Sequence, residues 1–398
     1  MVFTQSLRRS DLEPFPDRRK TDNASAILLA VLDHGPVARS TIARLAGLSP
    51  AAVSKLCADL IRRGLIREVR GSPTGDKPAG RPHVPVDVAC DDGPVACGVH
   101  IALAHVTLAL VDLRGRVIAR ERIPHGHRPD ARRILTRIAD RLPPFISGGD
   151  RRVTSIGVAV GGWVDSAAGV IVEHSLLGWR DVPVRDLLAA ATGLPVHVDG
   201  HSRALARAEQ LFGDHRARSS VVHLFAGNVV DAAFAVGGIT QLGQRSAAGT
   251  IAHLPLPGHA EPCECGRAGC LQAVVSETTL VRRAVADAII AEPSFVALLD
   301  SARGGDPRAG LLFRRRARAV GAAAAVLADL FDPEVLVVVE AGAMLLPGCL
   351  ETLRAEVRRR SPTARSASVV TTTFGLDVLP VAAGSVALTE VYADPLAR

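Results

Sequence analysis

The chain has 398 residues, 48% of them hydrophobic, with seven cysteines and a formal net charge of +7. That length predicts two or three domains rather than one small core. No apolar run of membrane-spanning length stands out, and the opening MVFTQSLRRSDLEPFPDRRK has arginines with no apolar segment behind them; a secretory signal is excluded and a cytoplasmic protein expected.

The positive charge is local. Residues 1–85 carry 14 Lys and Arg against 8 Asp and Glu, the remainder 33 against 32, and all three lysines (Lys20, Lys55, Lys77) lie in the first part. A basic front on a neutral body suits a reader of the phosphate backbone. Residues 1–22 lack periodicity and predict a flexible arm. From Asn23, Ile27, Leu28, Val31 and Leu32 recur at helical spacing until His34, Gly35 and Pro36 stop the helix. A second short helix is expected over Ser40 to Ala46, and Gly47 makes the turn. Ser49 caps a third helix with Pro50 in its first turn, and Val53, Leu56, Leu60 and Ile61 form its apolar stripe.

Two helices, a tight turn and a third helix make the helix-turn-helix plan, whose last helix enters the major groove. Ser49, Ala51, Ala52, Ser54 and Lys55 are therefore the candidate duplex contacts. Ser54 can bond a base or a phosphate, Lys55 a phosphate or guanine, and the alanines can meet thymine methyls. Leu65 to Arg70 and the Gly- and Pro-rich turn after it predict a wing, and Arg81 in Gly80-Arg81-Pro82 suits an arm reaching a narrow minor groove. The whole module is placed at 23–85, with double-stranded DNA as partner.

Over 86–398 the chain alternates strands and helices. Val95 to Leu103, His105 to Leu113 and Arg116 to Arg122 read as strands, Ala131 to Leu142 as a helix, and the apolar Val153 to Val160 as a buried strand. Helices are expected at Pro183 to Thr192, Ser202 to Phe212, Glu277 to Ala291, Leu311 to Phe331 and Leu350 to Arg358. Further strands are expected at Pro195 to Asp199, Val221 to Ala226, Asp231 to Val236 and Val335 to Val339.

The loop 253–272, HLPLPGHAEPCECGRAGCLQ, sets Cys263, Cys265 and Cys270 within eight residues, with Gly266 and Gly269 between them. Three thiolates and an imidazole suit a tetrahedral Zn²⁺ site with sulfurs at about 2.3 Å. His253 and His259 compete for the fourth position; His253 is favoured because an apolar run holds it.

This loop, with Ala248 to His253 ahead of it, resembles the zinc signature of the ROK family (repressor, open reading frame, kinase) of sugar kinases and sugar-responsive repressors. The resemblance covers nearly the whole chain. It implies an α/β protein: a winged helix-turn-helix, all-α with a small wing, on a two-lobed actin-like ATPase (ribonuclease H-like) body. It also implies His253 with the three cysteines as zinc ligands, a sugar cleft and a role in carbohydrate metabolism; a homodimer or homotetramer is expected from the need to read two half-sites, and no membrane partner from the lack of a spanning apolar run.

The family's kinase chemistry is not carried over. Its first phosphate loop, Asp-x-Gly-x-Thr, corresponds to Gly98 to Ala104, with neither acid nor threonine. Its second, Gly-Thr-Gly-x-Gly, corresponds to Gly227, Asn228, Val229, Val230, Asp231, and a third turn reads Glu340, Ala341, Gly342. Branched side chains and acids oppose phosphate there. His201 stands where the family has its catalytic Asp. In the sugar pocket Gly162 and Trp179 fit, while an Asn is Ser175 and two Glu are Thr250 and Gln272; with His201 and His253 these are the candidate ligand contacts for a sugar or sugar-derived effector. A kinase-inactive repressor is expected. The rival readings are a sugar kinase with an atypical site and a zinc-stabilised assembly protein.

Overall fold

A computed structural model describes residues 18–69, 84–126, 129–362 and 368–397. The chain forms two compact units, one running to Pro94 and including Leu388–Arg398, the other Val95–Ala387.

In the first unit α1 (Arg18–His34), α2 (Arg39–Ala46) and α3 (Pro50–Arg62) precede β1 (Ile66–Glu68) and β2 (Val86–Val88). Helix α1 starts five residues before the expected Asn23, so residues 18–22 of the anticipated arm are helical. Gly47 ends α2 at φ 64°. Ser49 then caps α3, its Oγ accepting from Ala52 N at 3.3 Å with Pro50 at the first position. The buried face of α3 is Val53, Leu56, Cys57 and Leu60 rather than a set including Ile61. Positions i, i+3, i+4 and i+7 share one face, and residue 61 falls beyond it. The wing stem is antiparallel, Ile66 opposite Val88. Arg81, the rest of the wing tip and residues 1–17 lie outside the described residues.

The second unit contains two five-stranded sheets of one topology. In the first lobe β3 (Val95–Ile101), β4 (His105–Val111) and β5 (Val117–Pro124) form an antiparallel meander, followed by α4 (Ala131–Ser147) and β6 (Val153–Val160). A small sheet follows: β7 (Trp163–Asp165), β8 (Val170–His174) and β9 (Trp179–Val182). After α5 (Val184–Thr192), β10 (Val196–Gly200) completes the order β10-β6-β3-β4-β5, and α6 (His201–Phe212) leads into the second lobe.

There β11 (Ser220–Ala226), β12 (Val230–Val236) and β13 (Ile239–Thr240) repeat the meander. The helices α7 (Leu271–Val275), α8 (Glu277–Ala286), α9 (Phe295–Arg303) and α10 (Pro307–Phe331) follow. Then β14 (Val335–Glu340), α11 (Ala341–Leu345), α12 (Cys349–Arg360) and β15 (Ser368–Thr371) give the order β13-β12-β11-β14-β15. The chain then enters α13 (Val378–Ala393). Every residue of β3 and of β14 is buried, which explains their largely apolar sequences, broken only by His100 and Glu340.

Small residues set how closely helices approach these sheets. Gly98 and Gly157 are paired across β3 and β6, and α13 lies directly on them. A Cβ at Gly157 would come 2.1 Å from Ala383 O, and one at Gly98 2.6 Å from Gly384 N. The run Gly321–Ala325 lets α10 approach α12 in the same way, since a Cβ at Gly321 would meet Leu353 O at 2.8 Å. Helix α13 has no counterpart in the sequence reading because it is apolar around most of its circumference. The segment Gly375–Ala393 is, by length and composition, long and apolar enough to cross a membrane, which corrects the expectation that no run reaches that length; 61% of it is buried within the protein, as in a core helix.

Substituting Gly157 by Ala is expected to cost about 2–3 kcal/mol, because the added methyl meets a main-chain oxygen that cannot step aside. Gly149→Ala, with nothing within 4 Å, serves as the control and is expected to change little. Urea melts of the two variants that coincide would contradict this packing.

Candidate functional site

Between its two sheets the body opens a cleft of about 850 Å³. Five of the six expected ligand-contact residues line it: Gly162, Ser175, Thr250, His253 and Gln272. Gly162 sits at φ +83°, where a Cβ would lie 2.5 Å from Glu173 O, so only glycine fits.

His201 is not among the lining residues. It begins α6, 4% exposed, with its ring 4.4 Å from that of Phe225 and its Nε2 3.2 Å from Asp231 Oδ1, a charge contact without hydrogen-bond geometry. Trp179 is also buried and donates from Nε1 to Pro129 O at 2.8 Å. The indole lining the cleft is Trp163, whose Nε1 donates to Arg245 O at 2.7 Å. Its position after Gly161-Gly162, at the end of a buried strand, was the available sequence signal.

Two of the three turns corresponding to phosphate loops, the one between β11 and β12 and the one after β14, are occupied by the protein's own side chains. Gln272 accepts from Val230 N at 2.8 Å and donates to Asn228 O, which fastens the turn between β11 and β12. Asn228 in turn accepts from Thr278 N at 3.0 Å and Thr278 Oγ1 at 2.8 Å, and donates to Glu277 at 3.1 Å. Burial raises the Glu277 carboxyl above its usual range, with Arg316 opposing. After β14, Glu340 places its carboxylate over the first turn of α11, accepting from Gly342 N at 2.9 Å and Ala343 N at 2.7 Å. Arg316 pairs with it at 2.5 Å, both side chains 1% exposed or less, and also donates to Ala226 O and Val275 O at 2.6 and 2.7 Å. The amides that would hold a phosphate after β14 already hold a carboxylate.

The loop 253–272 brings together His253, Cys263, Cys265 and Cys270, with one donor atom from each within 4.8 Å of the others. A tetrahedral ion with bonds of about 2.3 Å to sulfur and about 2.05 Å to nitrogen sets S···S and S···N edges of about 3.8 and 3.6 Å. The separations Cys265 Sγ to Cys270 Sγ and Cys263 Sγ to His253 Nδ1 are 3.7 and 3.5 Å. The donor set and spacing therefore fit a tetrahedral metal. His259 lies outside the group and faces Glu261 at 3.4 Å.

On α3 of the other unit, Ala51, Ser54 and Lys55 are exposed and Ala52 is partly so; Ser49, also exposed, spends its hydroxyl on the cap. Arg39, Arg62 and Arg67 are paired with Glu68, Asp59 and Asp91. Lys55 and the exposed Arg44 of α2 have no carboxylate partner among the described residues. Arg44 was not anticipated; its place in the last turn of α2, just ahead of the Gly47 turn, was the signal.

A model of the ROK family matches residues 96–379, more than half of the chain. The chain belongs to the ROK family. A MarR family model matches residues 21–76, the winged-helix region. The transcriptional regulator Rv0485 of Mycobacterium tuberculosis is 35% identical over 397 residues, covering 96% of this chain and 88% of that protein. Among solved structures, a ROK family transcriptional regulator described as a homologue of the E. coli Mlc protein superposes with TM-score 0.77 at 24% identity, over 96% of this chain and 98% of the other. A ROK family glucokinase from Streptomyces griseus, solved with glucose and AMPPNP, gives TM-score 0.65 at 26% identity, over 73% and 98%.

This ROK body also buries several imidazoles near His201. Burial first, then the neighbouring His201, lowers His100 to about 3, His174 to about 4 and His223 to about 3. His223 is fully buried, and neither ring nitrogen has a hydrogen-bond partner among the described residues. Burial raises Glu209 to about 7, against a hydrogen bond with Thr372.

A lowered histidine pKa means the unfolded chain holds more protons between about 4 and about 6.5, so stability falls as pH drops through that window; Glu209, raised, works the other way between about 4.5 and 7. Near pH 5.5 the balance is about two protons, or roughly 2.7 kcal/mol per pH unit. Melts of the body are expected to steepen from under one proton near pH 6.5 to about that slope near pH 5.5, reduced by about one proton there in His223→Leu; a flat profile would contradict it.

Proposed function

We propose that this ROK-family protein is a DNA-binding transcriptional regulator, a repressor, whose body has given up phosphoryl transfer and carries an altered effector cleft. The observation that carries this reading is the pairing of two facts. The turn between β11 and β12 and the turn after β14 are filled by Asn228, Gln272 and Glu340. The winged helix, in contrast, presents Ser54 and Lys55 on the exposed face of α3. A kinase needs the first free and has no use for the second. The names of Rv0485 as a transcriptional regulator and of Mlc and NagC of Escherichia coli as DNA-binding regulators support the same reading.

In this proposal α3 enters the major groove with Ala51, Ala52 and Ser54 at base edges. Ser49 sets the helix start, and Lys55, Arg44 and Arg81 take phosphates or a narrow minor groove. A homodimer or homotetramer would address half-sites about 34–36 Å apart. A cytoplasmic location goes with that target.

The ligand proposed for the cleft is a sugar or sugar derivative gripped differently from a simple hexose. Thr250 donates to Ala247 O at 2.9 Å and Gln272 is committed to the turn, so neither offers the double acceptor that a carboxylate gives to paired hydroxyls. Ser175, His253 and Trp163 remain for recognition.

Zn²⁺ is the metal proposed for His253, Cys263, Cys265 and Cys270, where it would supply a structural cross-link. Cys270 roots the group, since it is buried and its carbonyl accepts from Val274 N in α7.

Selection of bound genomic fragments would supply the operator. On that duplex Lys55→Ala and Arg81→Ala are each expected to weaken binding and to reduce the slope of log K against log salt by about 1. Unchanged affinity and slope in both variants would remove the assigned surface.

A further inference from the structure

The cysteines of the metal loop differ in accessibility in a way that a closed structural site does not require. Cys265 and His253 are exposed, Cys263 is intermediate and Cys270 is buried. Cys57, Cys90, Cys97 and Cys349 are all buried. Cys265 is thus the one exposed thiol among the described residues, and Cys270 lies 3.7 Å from it, the chain between them bending through Gly266 at φ +82° and Gly269 at φ +68°. A disulfide needs about 2.05 Å, an approach of roughly 1.7 Å across a short glycine-containing loop.

The same loop is tied to the cleft. Cys270 is followed by Leu271 and Gln272, whose amides donate to Leu254 O and Ala252 O, both at 2.8 Å, and the Gln272 side chain holds Val230 N. Movement of Cys270 toward Cys265 would pull on the residue that closes the β11–β12 turn.

We infer that Cys265 and Cys270 form an oxidisable pair for small hydroperoxides, and that joining them expels the metal and unfastens Gln272 from the turn. This rests on the reading of the loop as a zinc site. Cys265, the accessible sulfur, attacks the terminal peroxide oxygen; the O–O bond breaks, the other oxygen leaves as the alcohol or water after taking a proton, and Cys265 becomes a sulfenic acid. The Cys270 sulfur then displaces the hydroxyl, which leaves as water, and the S–S bond forms. In sum two metal-held thiolates, one hydroperoxide and two protons give one disulfide, one alcohol (water, for hydrogen peroxide) and one water, with the ion set free. Two of the four ligands are consumed, and Cys263 and His253 alone hold the ion too weakly to keep it.

The test uses the full-length protein as purified. Its zinc content is measured, one equivalent of hydrogen peroxide is added, released zinc is followed with a chromogenic chelator, disulfides are mapped by mass spectrometry, and amide exchange is read in a peptide spanning Val229 to Asp231. The expected result is release of one zinc per chain, a Cys265–Cys270 disulfide, and at least tenfold faster exchange at Val230. Zinc retained after oxidation, a disulfide through another pair, or unchanged protection at Val230 would overturn the inference. If the untreated protein holds no zinc, the metal reading fails by itself, and the disulfide map and exchange still decide whether the pair forms and is coupled to the turn.

Discussion

The body depends on a buried carboxylate, that of Glu340. Glu340 is 1% exposed, and a charge in that position is tolerable only with a full set of partners. Arg316 and the amides of Gly342 and Ala343 provide them, and Arg316 simultaneously ties the ends of β11 and α7 to β14. Removing one partner would strand the other, so the group persists as a unit. A nucleotide phosphate arriving at α11 would have to displace a carboxylate already neutralised by its own arginine.

The same logic extends across the cleft. Gln272, Asn228 and Thr278 satisfy one another's hydrogen bonds around the β11–β12 turn, and Ser202 donates to Asp231 beside the buried His201. Polar groups that in a kinase would await substrate are here occupied within the fold. The duplicated lobe architecture is kept, while Lys55 and Arg44, exposed and without a carboxylate partner among the described residues, stand on the winged helix.

Much of this was legible in the sequence where the signal is local. Strands such as Val153–Val160 and Val335–Glu340 are mostly apolar because both faces of a central strand are buried, with Thr154, Ser155 and Glu340 as the polar exceptions. The His and Cys cluster was legible because three of its four members lie within eight residues, and the helix-turn-helix because Gly47, Ser49 and Pro50 punctuate it. Helix α13 was hidden because a helix buried on most sides shows no amphipathic period. The sheet β7–β9 was missed because strands of three to five residues with mixed polarity resemble loops. The contacts between Gln272 and Asn228, and between Arg316 and Glu340, join residues 44 and 24 apart through side-chain geometry that no spacing rule anticipates. His201 was placed in the ligand site by its position in the family pattern, whereas Phe225 and Asp231 enclose it.

The most direct test of a body whose phosphate turns are filled is calorimetric titration of the purified protein with Mg²⁺ and ATP, with and without saturating hexose. Absence of binding up to millimolar nucleotide is the predicted result. A dissociation constant in the micromolar range would show that Glu340, Arg316 and Gln272 yield to phosphate, and would contradict the account.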